Sequence, residues 1–363
     1  MLGDLSSDRS TWRPPIAAAA RNYPMNCWWV AAFSDELGQA LLGRWLLDTP
    51  VLLYRTQDGR ANALEDRCPH RGAPLSLGSR QGDAVQCGYH GFTYAADGKC
   101  IKVPSMKAPA ASIKVRAFPI LERPPLIWIY LGDPHAAQSV PPPPALDWTT
   151  DSTFSVIHGR MDIDANFMLL KENVLDLTHF GYVHAATFKI TDWVEPPQVT
   201  VDGDSVTFRQ SFANSSLPPV FAEALNLPPD TRFNRENYGS FVSPALQVAA
   251  VDFYDPAAGD KHLTGRFRIA HATTPIDGTH MFYFYVLGRD HGKSPELMSK
   301  LASLSKVGFE EDKRIIEAIQ QRLLRDPRPP AEWEVSVKSD SAGIQARRIL
   351  ARWMQRETEG GTP

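Results

Sequence analysis

The chain has 363 residues, 43% of them hydrophobic and 22% charged, with a formal net charge of −3. That length accommodates two domains with separate cores, and the charge balance gives no reason to expect a nucleic acid or a membrane surface as partner. The longest apolar runs, such as LIWIYL at 126–131, are far too short to span a bilayer.

The amino terminus, MLGDLSSDRSTWRPP, carries acidic residues and no apolar core, so it does not read as a secretory signal. IAAAA at 16–20 reads as a flexible or helical lead-in, and a cytoplasmic protein is expected. Residues 45–131 read as short strands divided by turns. WLLDTPVLLYR, a DGR turn at 58–60 and ANALED form one predicted hairpin; GFTYAADGKCIKVP, turning at Asp97-Gly98, forms another. The proline run PPPPALDW at 141–148 is stiff and suits an interdomain connector. Beyond it, 164–185 reads as helix, 198–213 as a hairpin about Gly203, and 241–253 and 263–289 as longer strands. Helical periodicity returns from Ser294 to about Leu324 and again over 340–356. The expected class is α+β, with an all-β domain over 22–140 and a sheet-plus-helix domain over 145–355.

Four cysteines are too few to staple a chain of this size. Cys27 and Cys100 have no histidine nearby and read as buried or bystander thiols. The stretch CPHRGAPLSLGSRQGDAVQCGYHG, by contrast, holds Cys68-x-His70 and, after sixteen residues, Cys87-x-x-His90. Two such pairs could hold a structural zinc, or a [2Fe–2S] cluster with the cysteines on one iron and the histidines on the other. The surroundings favour iron. Each pair follows a strand in a glycine-rich turn (Gly72, Gly88, Gly91), so two loops can meet over a compact cluster shielded by Pro69, Pro74 and Tyr89. Together with CGYHGFTYAADGKC, this stretch resembles the Rieske motif, and most closely that of the Rieske non-haem iron oxygenases. The resemblance implies a [2Fe–2S] cluster on Cys68, His70, Cys87 and His90, reduced one electron at a time by a reductase or ferredoxin. Alone, the motif does not separate an oxygenase from a small electron-transfer protein.

ENVLDLTHFGYVH, at 172–184, supplies the separation. Non-haem Fe(II) oxygenases hold iron with two histidines and a carboxylate, leaving positions open. His179 and His184 would point about 140° apart on a regular helix, so the helix must end or distort between them, and Gly181 is placed for that. The stretch matches the oxygenase pattern Glu-Asn-x-x-Asp-x-x-His-x-x-x-x-His. That match implies His179 and His184 as imidazole ligands and Asn173 as the residue beside the iron. It implies Asp176 as the carboxylate bridging to the Rieske histidine of a neighbouring subunit. For the third ligand, FEEDKRIIEAIQ at 309–320 offers Glu310, Glu311 and Asp312. Phe309, Ile316, Ile319 and Leu323 mark an apolar stripe on which Asp312 falls; Glu310 is on the solvent face and Glu311 at the margin. A carboxylate on a buried stripe needs a partner, which iron would supply, and the resemblance selects the same residue.

The order of elements, the EEDKRIIEA helix and the SAGIQARRIL segment look like the vanillate and dicamba O-demethylase branch, over about residues 22–355. This implies a helix-grip catalytic domain, a head-to-tail homotrimer, and use of O2 and two external electrons to demethylate a methoxy- or N-methyl-aromatic compound with formaldehyde release. Two other readings stand beside it: the same metals hydroxylating a ring, methyl or alicyclic carbon, and a Rieske electron carrier without oxygen chemistry. No GxGxxG opens a helix, so a separate ferredoxin or reductase must supply electrons. Candidate pocket residues are Phe167, Asn237, Val251, Phe253, His271 and Phe284. Asn237 and His271 fall near positions that bind a substrate carboxylate or ether in the dicamba enzymes. Arg67, Arg71, Arg80, Lys99 and Lys102 surround the cluster loops, either to meet an acidic ferredoxin or as a solvated basic rim.

Overall fold

The computed structural model describes residues 22–188, 196–217, 219–228, 231–255 and 262–359; the amino-terminal lead-in lies outside them. Pro24–Ala145 with the chain from Arg356, and Leu146–Gln355 with Asn22 and Tyr23, form two compact units.

The first unit is built of ten short strands: β1 (Trp28–Phe33), β2 (Leu42–Leu46), β3 (Thr49–Arg55), β4 (Ala61–Glu65), β5 (Ser79–Gln81), β6 (Ala84–Gln86), β7 (Thr93–Tyr94), β8 (Cys100–Lys102), β9 (Ile120–Arg123) and β10 (Leu126–Tyr130). They pair antiparallel in three small sheets, β1-β10-β9, β2-β3-β4 and β5-β6-β7-β8. WLLDTPVLLYR is not one strand. It turns at Leu47 and Asp48, whose φ values of 52° and 56° belong to a mirror-image turn that matches the twist of paired strands. The core of the unit gathers Leu52, Tyr54, Leu64, Leu75, Val85 and Tyr94 around the thiols of Cys68 and Cys87.

The second unit carries β11 (Ser155–Ile163), α1 (Phe167–Leu175), β12 (Gln198–Asp202), β13 (Ser205–Ser216) and α2 (Pro219–Ala224). β14 (Arg232–Phe241), β15 (Leu246–Tyr254), β16 (Leu263–Pro275), β17 (Met281–Arg289), α3 (Pro295–Arg325) and α4 (Ser341–Thr358) complete it. Its strands form one antiparallel sheet in the order β11-β17-β16-β15-β14-β13-β12. Alternation decides which side chains meet the helices: β14 buries Phe233, Arg235, Asn237 and Phe241, every second residue.

The helix expected over 164–185 is interrupted. It starts at Asn166, whose side chain accepts from the Met168 amide, and stops at Asp176, where the backbone is extended and the carboxylate caps the Thr178 amide. A 3₁₀ turn, Leu177–Gly181, follows. The distortion required between the two histidines is therefore present at Gly181, but a first break already precedes His179.

α3 buries a stripe of Met298, Leu301, Ser305, Gly308, Asp312, Ile316 and Gln320. Ile319, expected on that stripe, is 40% exposed, and Gln320 takes the inward position. Gly308 is required by close approach: a β-carbon there would stand 2.7 Å from the Phe188 ring. Polar bonds stitch α3 to the segment that enters and leaves α1. Glu317 accepts from the Asp164 amide and Gln320 from the Asn166 amide, both at 2.9 Å.

α4 is tied to α1 by Arg347. Its guanidinium, 7% exposed, donates to both oxygens of Glu172 at 2.5 Å and to Glu334 at 2.6 Å. Removing the cation would leave two carboxylates facing each other with little water to screen them. Arg347→Ala is therefore expected to cost about 3 kcal/mol and to lower the midpoint of thermal unfolding by roughly 6 °C or more, read by calorimetry; an unchanged midpoint would remove this pair from the forces that hold α1.

Candidate metal centres and cavity

In the first unit, the two cluster loops are built alike. The Cys68 amide donates to the Ala73 carbonyl and the Gly72 amide returns to Cys68; the Cys87 amide donates to Phe92 and the Gly91 amide returns to Cys87. Gly72 and Gly91 have φ of 75° and 72°, the left-handed region that closes each loop and that glycine enters without a Cβ clash. Cys68 and Cys87 are buried, whereas His70 and His90 are exposed with their rings 4.6 Å apart. Two sulfurs below and two imidazoles at the tip match the split donor set of a two-iron cluster. These four donors do not close on one point as a single zinc would need; among the described residues only His179, His184 and Asp312 gather three donors in that way. The Tyr94 hydroxyl lies 3.2 Å from the Cys68 sulfur. Burial raises its pKa, so it keeps a proton that a cluster-bound sulfur, which has none, can accept.

In the second unit, His179, His184 and Asp312 bring one donor atom each to within 4.8 Å of the others. Asp312 Oδ1 is 3.2 Å from His184 Nε2 and 3.5 Å from His179 Nε2. Both rings are oriented from behind. His179 Nδ1 donates to the Asp176 backbone carbonyl at 2.7 Å, and His184 Nδ1 to Glu311 Oε2 at 2.8 Å. A proton fixed on each Nδ1 leaves the Nε2 lone pairs facing Asp312, the tautomer a metal ligand needs. Burial lowers the pKa of His179. Burial also pushes on His184, but its bonds to Asp312 and Glu311 outweigh it and leave the pKa raised. Asn173 Nδ2 donates to Asp312 Oδ1 at 3.0 Å. Two imidazoles and one carboxylate facing open space are a donor set suited to non-haem iron.

That open space is a cavity between α3, the 173–188 segment and the inner face of β14 to β17. Of the expected pocket residues, Asn237, Val251, Phe253 and His271 line it. Phe167 and Phe284 do not. Phe167 opens α1 two turns ahead of Val174, about 10 Å further along the axis, and is packed in the core. Phe284 alternates with Tyr283 and Tyr285, which pack on Phe309 of α3, so it faces the other side of the sheet. Burial, with Lys171 nearby, depresses His271 to about 3, so its ring is neutral, 2.7 Å from the Tyr283 hydroxyl.

Residues 163–356 match the vanillate O-demethylase oxygenase C-terminal domain, and 27–119 the Rieske [2Fe-2S] domain. The chain belongs to the Rieske oxygenases of the vanillate O-demethylase type. It is 30% identical to the iron–sulfur subunit of the toluene-4-sulfonate monooxygenase system of Comamonas testosteroni, over 93% of this chain and 99% of that one. It is 35% identical to the oxygenase component of dicamba O-demethylase of Stenotrophomonas maltophilia, over 82% and 88%. The crystal structure of dicamba monooxygenase bound to 3,6-dichlorosalicylic acid superposes with a TM-score of 0.84 at 30% identity, covering 92% of this chain and 98% of that one. The protein is thus the oxygenase component of a multicomponent system, with a [2Fe–2S] Rieske cluster and a mononuclear iron as cofactors. No helix among the described residues is long and apolar enough to cross a membrane.

The sequence reading of this Rieske oxygenase left Glu311 at the margin of its helix. In the structure Glu311 holds His184 and accepts from the Thr187 hydroxyl at 2.5 Å; its adjacency to Asp312 was the available signal. Asp176 was expected to accept from histidine N–H groups through its carboxylate. Toward His179 it does so through its backbone carbonyl, while the carboxylate serves Thr178. Of the five basic residues near the cluster, Lys99 pairs with Asp97 at 2.7 Å, Arg67 approaches Glu65 at 4.0 Å and Arg80 donates to Gln39.

Two outcomes are expected from this geometry. Glu311→Ala should weaken Fe(II) retention by about 10–100-fold, measured by chelator competition on reconstituted protein; wild-type retention would deny Glu311 its supporting part. Tyr94→Phe should remove a hydrogen bond that favours the reduced cluster, worth about 1 kcal/mol, and lower its reduction potential by roughly 40 mV. An unmoved potential would show that the hydroxyl does not act on the sulfur.

Proposed function

We propose that this oxygenase component demethylates a methoxy- or N-methyl-aromatic compound, with O2 and two electrons delivered by a separate ferredoxin or reductase, and releases formaldehyde. In this reading Cys68, His70, Cys87 and His90 hold the cluster, and His179, His184 and Asp312 hold the iron. The observation that carries it is that the three ligating side chains form part of the wall of one largely apolar cavity, so a small hydrophobic molecule and the metal share a space that excludes bulk water. When bound, the metals supply electron delivery and oxygen activation.

The chain's own residues do the placing. Asp176 and Glu311 fix the two imidazoles from behind, and Asn173 holds Asp312. Phe180 and Phe188 pack around His184 and restrict the water that reaches it. His271, neutral at working pH, presents Nε2–H to a substrate oxygen when Tyr283 donates to Nδ1. The buried Asn237 Oδ1 has no protein partner and suits a donor on the substrate. The reaction balances as follows. One oxygen atom enters a C–H bond of the methyl group, and two electrons and two protons convert the other to water. The resulting hemiacetal or hemiaminal then breaks its C–O or C–N bond, giving phenol or amine and formaldehyde.

The relative that acts on toluene-4-sulfonate, whose methyl sits on a ring carbon, favours one second reading: methyl hydroxylation at the same site. We further propose a head-to-tail homotrimer. Each unit exposes apolar side chains beside its centre: Leu77 and Tyr89 near the cluster histidines, and Tyr182, Val335 and Val337 near Asp176. Pairing these two patches between copies would let Asp176 bridge the two centres. A cytoplasmic setting accords with four cysteines that form no disulfide with one another.

A single turnover of the reduced protein with O2 should yield formaldehyde and demethylated product in equal amounts from methoxy- or N-methyl-aromatics. Addition of one oxygen without loss of carbon would shift the reading to hydroxylation. Asp312→Ala should abolish product while leaving the cluster's visible spectrum intact; turnover in that variant would overturn the ligand assignment.

A further inference from the structure

Of the α3 side chains that line the cavity, Leu301, Leu304, Ser305, Phe309 and Asp312, two are polar. Asp312 belongs to the metal trio, and Ser305 does not. A serine inside a helix can satisfy its hydroxyl by returning it to the carbonyl four residues earlier. Ser303, which is exposed, does so, donating to Ser299 at 3.0 Å. Ser305 is 5% exposed and makes no hydrogen bond among the described residues. A hydroxyl in apolar surroundings without a partner costs free energy, and alanine is the better helix former at such a place. Ser305 is thus an anomaly in its helix, of the kind that a ligand resolves.

The register of the sheet shows what stands opposite. Leu301 packs in one cluster with Phe253, Phe267 and Leu287, and Phe309 meets the rings of His271, Tyr283 and Tyr285. Ser305 is four residues from each, one turn along in either direction, so it stands over the strand positions between them. Those are Gly239, Ala249, Ile269 and Leu287, which pair in a single row across β14 to β17. None of the four has a side-chain donor or acceptor. The nearest polar side chains of the inner face, Asn237 and His271, lie one row to either side, and Tyr238 gives its hydroxyl to Asp252. The sheet therefore leaves the space in front of Ser305 to a ligand.

Asp312 is seven residues further on, about 10 Å along the axis and nearly on the same face of the helix. That interval has room for the metal and for one aromatic ring substituted at opposite ends. We infer that Ser305 is a specificity-determining residue that hydrogen-bonds an uncharged polar substituent, hydroxyl or carboxamide, on a single-ring substrate, para to the group held at the metal. This rests on the demethylase reading for what happens at the metal, but not for the binding at Ser305. A hydroxyl both donates and accepts, so it suits a neutral group of either kind. A lone hydroxyl offsets little of the cost of burying an anion.

The test uses the metal-loaded protein without oxygen and three probes: 4-methoxyphenol, 3-methoxyphenol, and 4-fluoroanisole, in which fluorine takes the place of the hydroxyl. Calorimetry gives Kd. Ser305→Ala should raise the Kd of 4-methoxyphenol about fivefold, roughly the 1 kcal/mol of one hydrogen bond, and should move the other two by less than about twofold. An equal rise for all three probes would assign Ser305 to packing and overturn the inference. So would an unchanged Kd for 4-methoxyphenol, a loss as large for the 3-isomer, or failure of 4-methoxyphenol to bind the wild type. Oxygen is then admitted to the reduced protein and formaldehyde is measured. Ser305-dependent binding of 4-methoxyphenol without formaldehyde would leave the inference standing and count against the demethylase reading instead.

Discussion

The catalytic unit depends on how α3 is held against the segment that runs through α1. The three donors that converge at the candidate iron site come from two stretches of chain 127 residues apart, measured from His184 to Glu311. No local rule brings them together. What does so is a row of polar bonds along one side of a single long helix: Glu311 to His184, Asp312 to Asn173, Glu317 to the Asp164 amide, Gln320 to the Asn166 amide. Each bond satisfies a group that burial would otherwise penalise. The interactions that satisfy the helix caps and the buried polar stripe are therefore the same ones that set the distances between ligands. Arg347 adds the third element, α4, by clamping Glu172 one residue before Asn173.

Much of this was legible in the chain. The paired Cys-x-His and Cys-x-x-His sequences announce their chemistry through residue type and spacing, and the turns that carry them are marked by glycine. Asp312 could be placed because a carboxylate on an apolar stripe is an anomaly that calls for an explanation. The errors have a common physical source, in that sequence periodicity gives a face but not a depth. Phe167 shares the general direction of Val174 yet starts α1 too early to reach the cavity. Phe284 is an aromatic in a strand, and strand alternation turns it to the face away from the cavity. The run Phe233-x-Arg235-x-Asn237 places Arg235 on the buried side of its strand, and a charge in that alternation is the same kind of anomaly as Asp312. Glu311 needed the tertiary structure, since its partner lies in a remote, irregular segment.

The two imidazoles of the trio are not equivalent. One is backed by a neutral carbonyl and the other by a carboxylate that is itself bonded to Thr187. A carbonyl fixes geometry alone, whereas an anion also increases the electron density that its imidazole offers. The carbonyl that backs His179 belongs to Asp176, the residue at which α1 breaks. The termination of a helix and the orientation of a ligand are thus a single event in the backbone.

Glu311 and Asp312 are neighbours on a helix, and neighbours on a helix point about 100° apart. That angle lets one turn of α3 face the metal with one carboxylate and the back of His184 with the other. It also makes the segment intolerant of counting errors. Between the Ser294 cap and Gly308, insertion of a single residue would bring Glu311 to the place of Asp312, loss of one would bring Lys313 there, and either would carry Gly308 away from the Phe188 ring. The same change ahead of Ser294, before the helical phase begins, would leave every one of these facings untouched. Length variation among proteins built on this plan should therefore accumulate before the cap and stop at it.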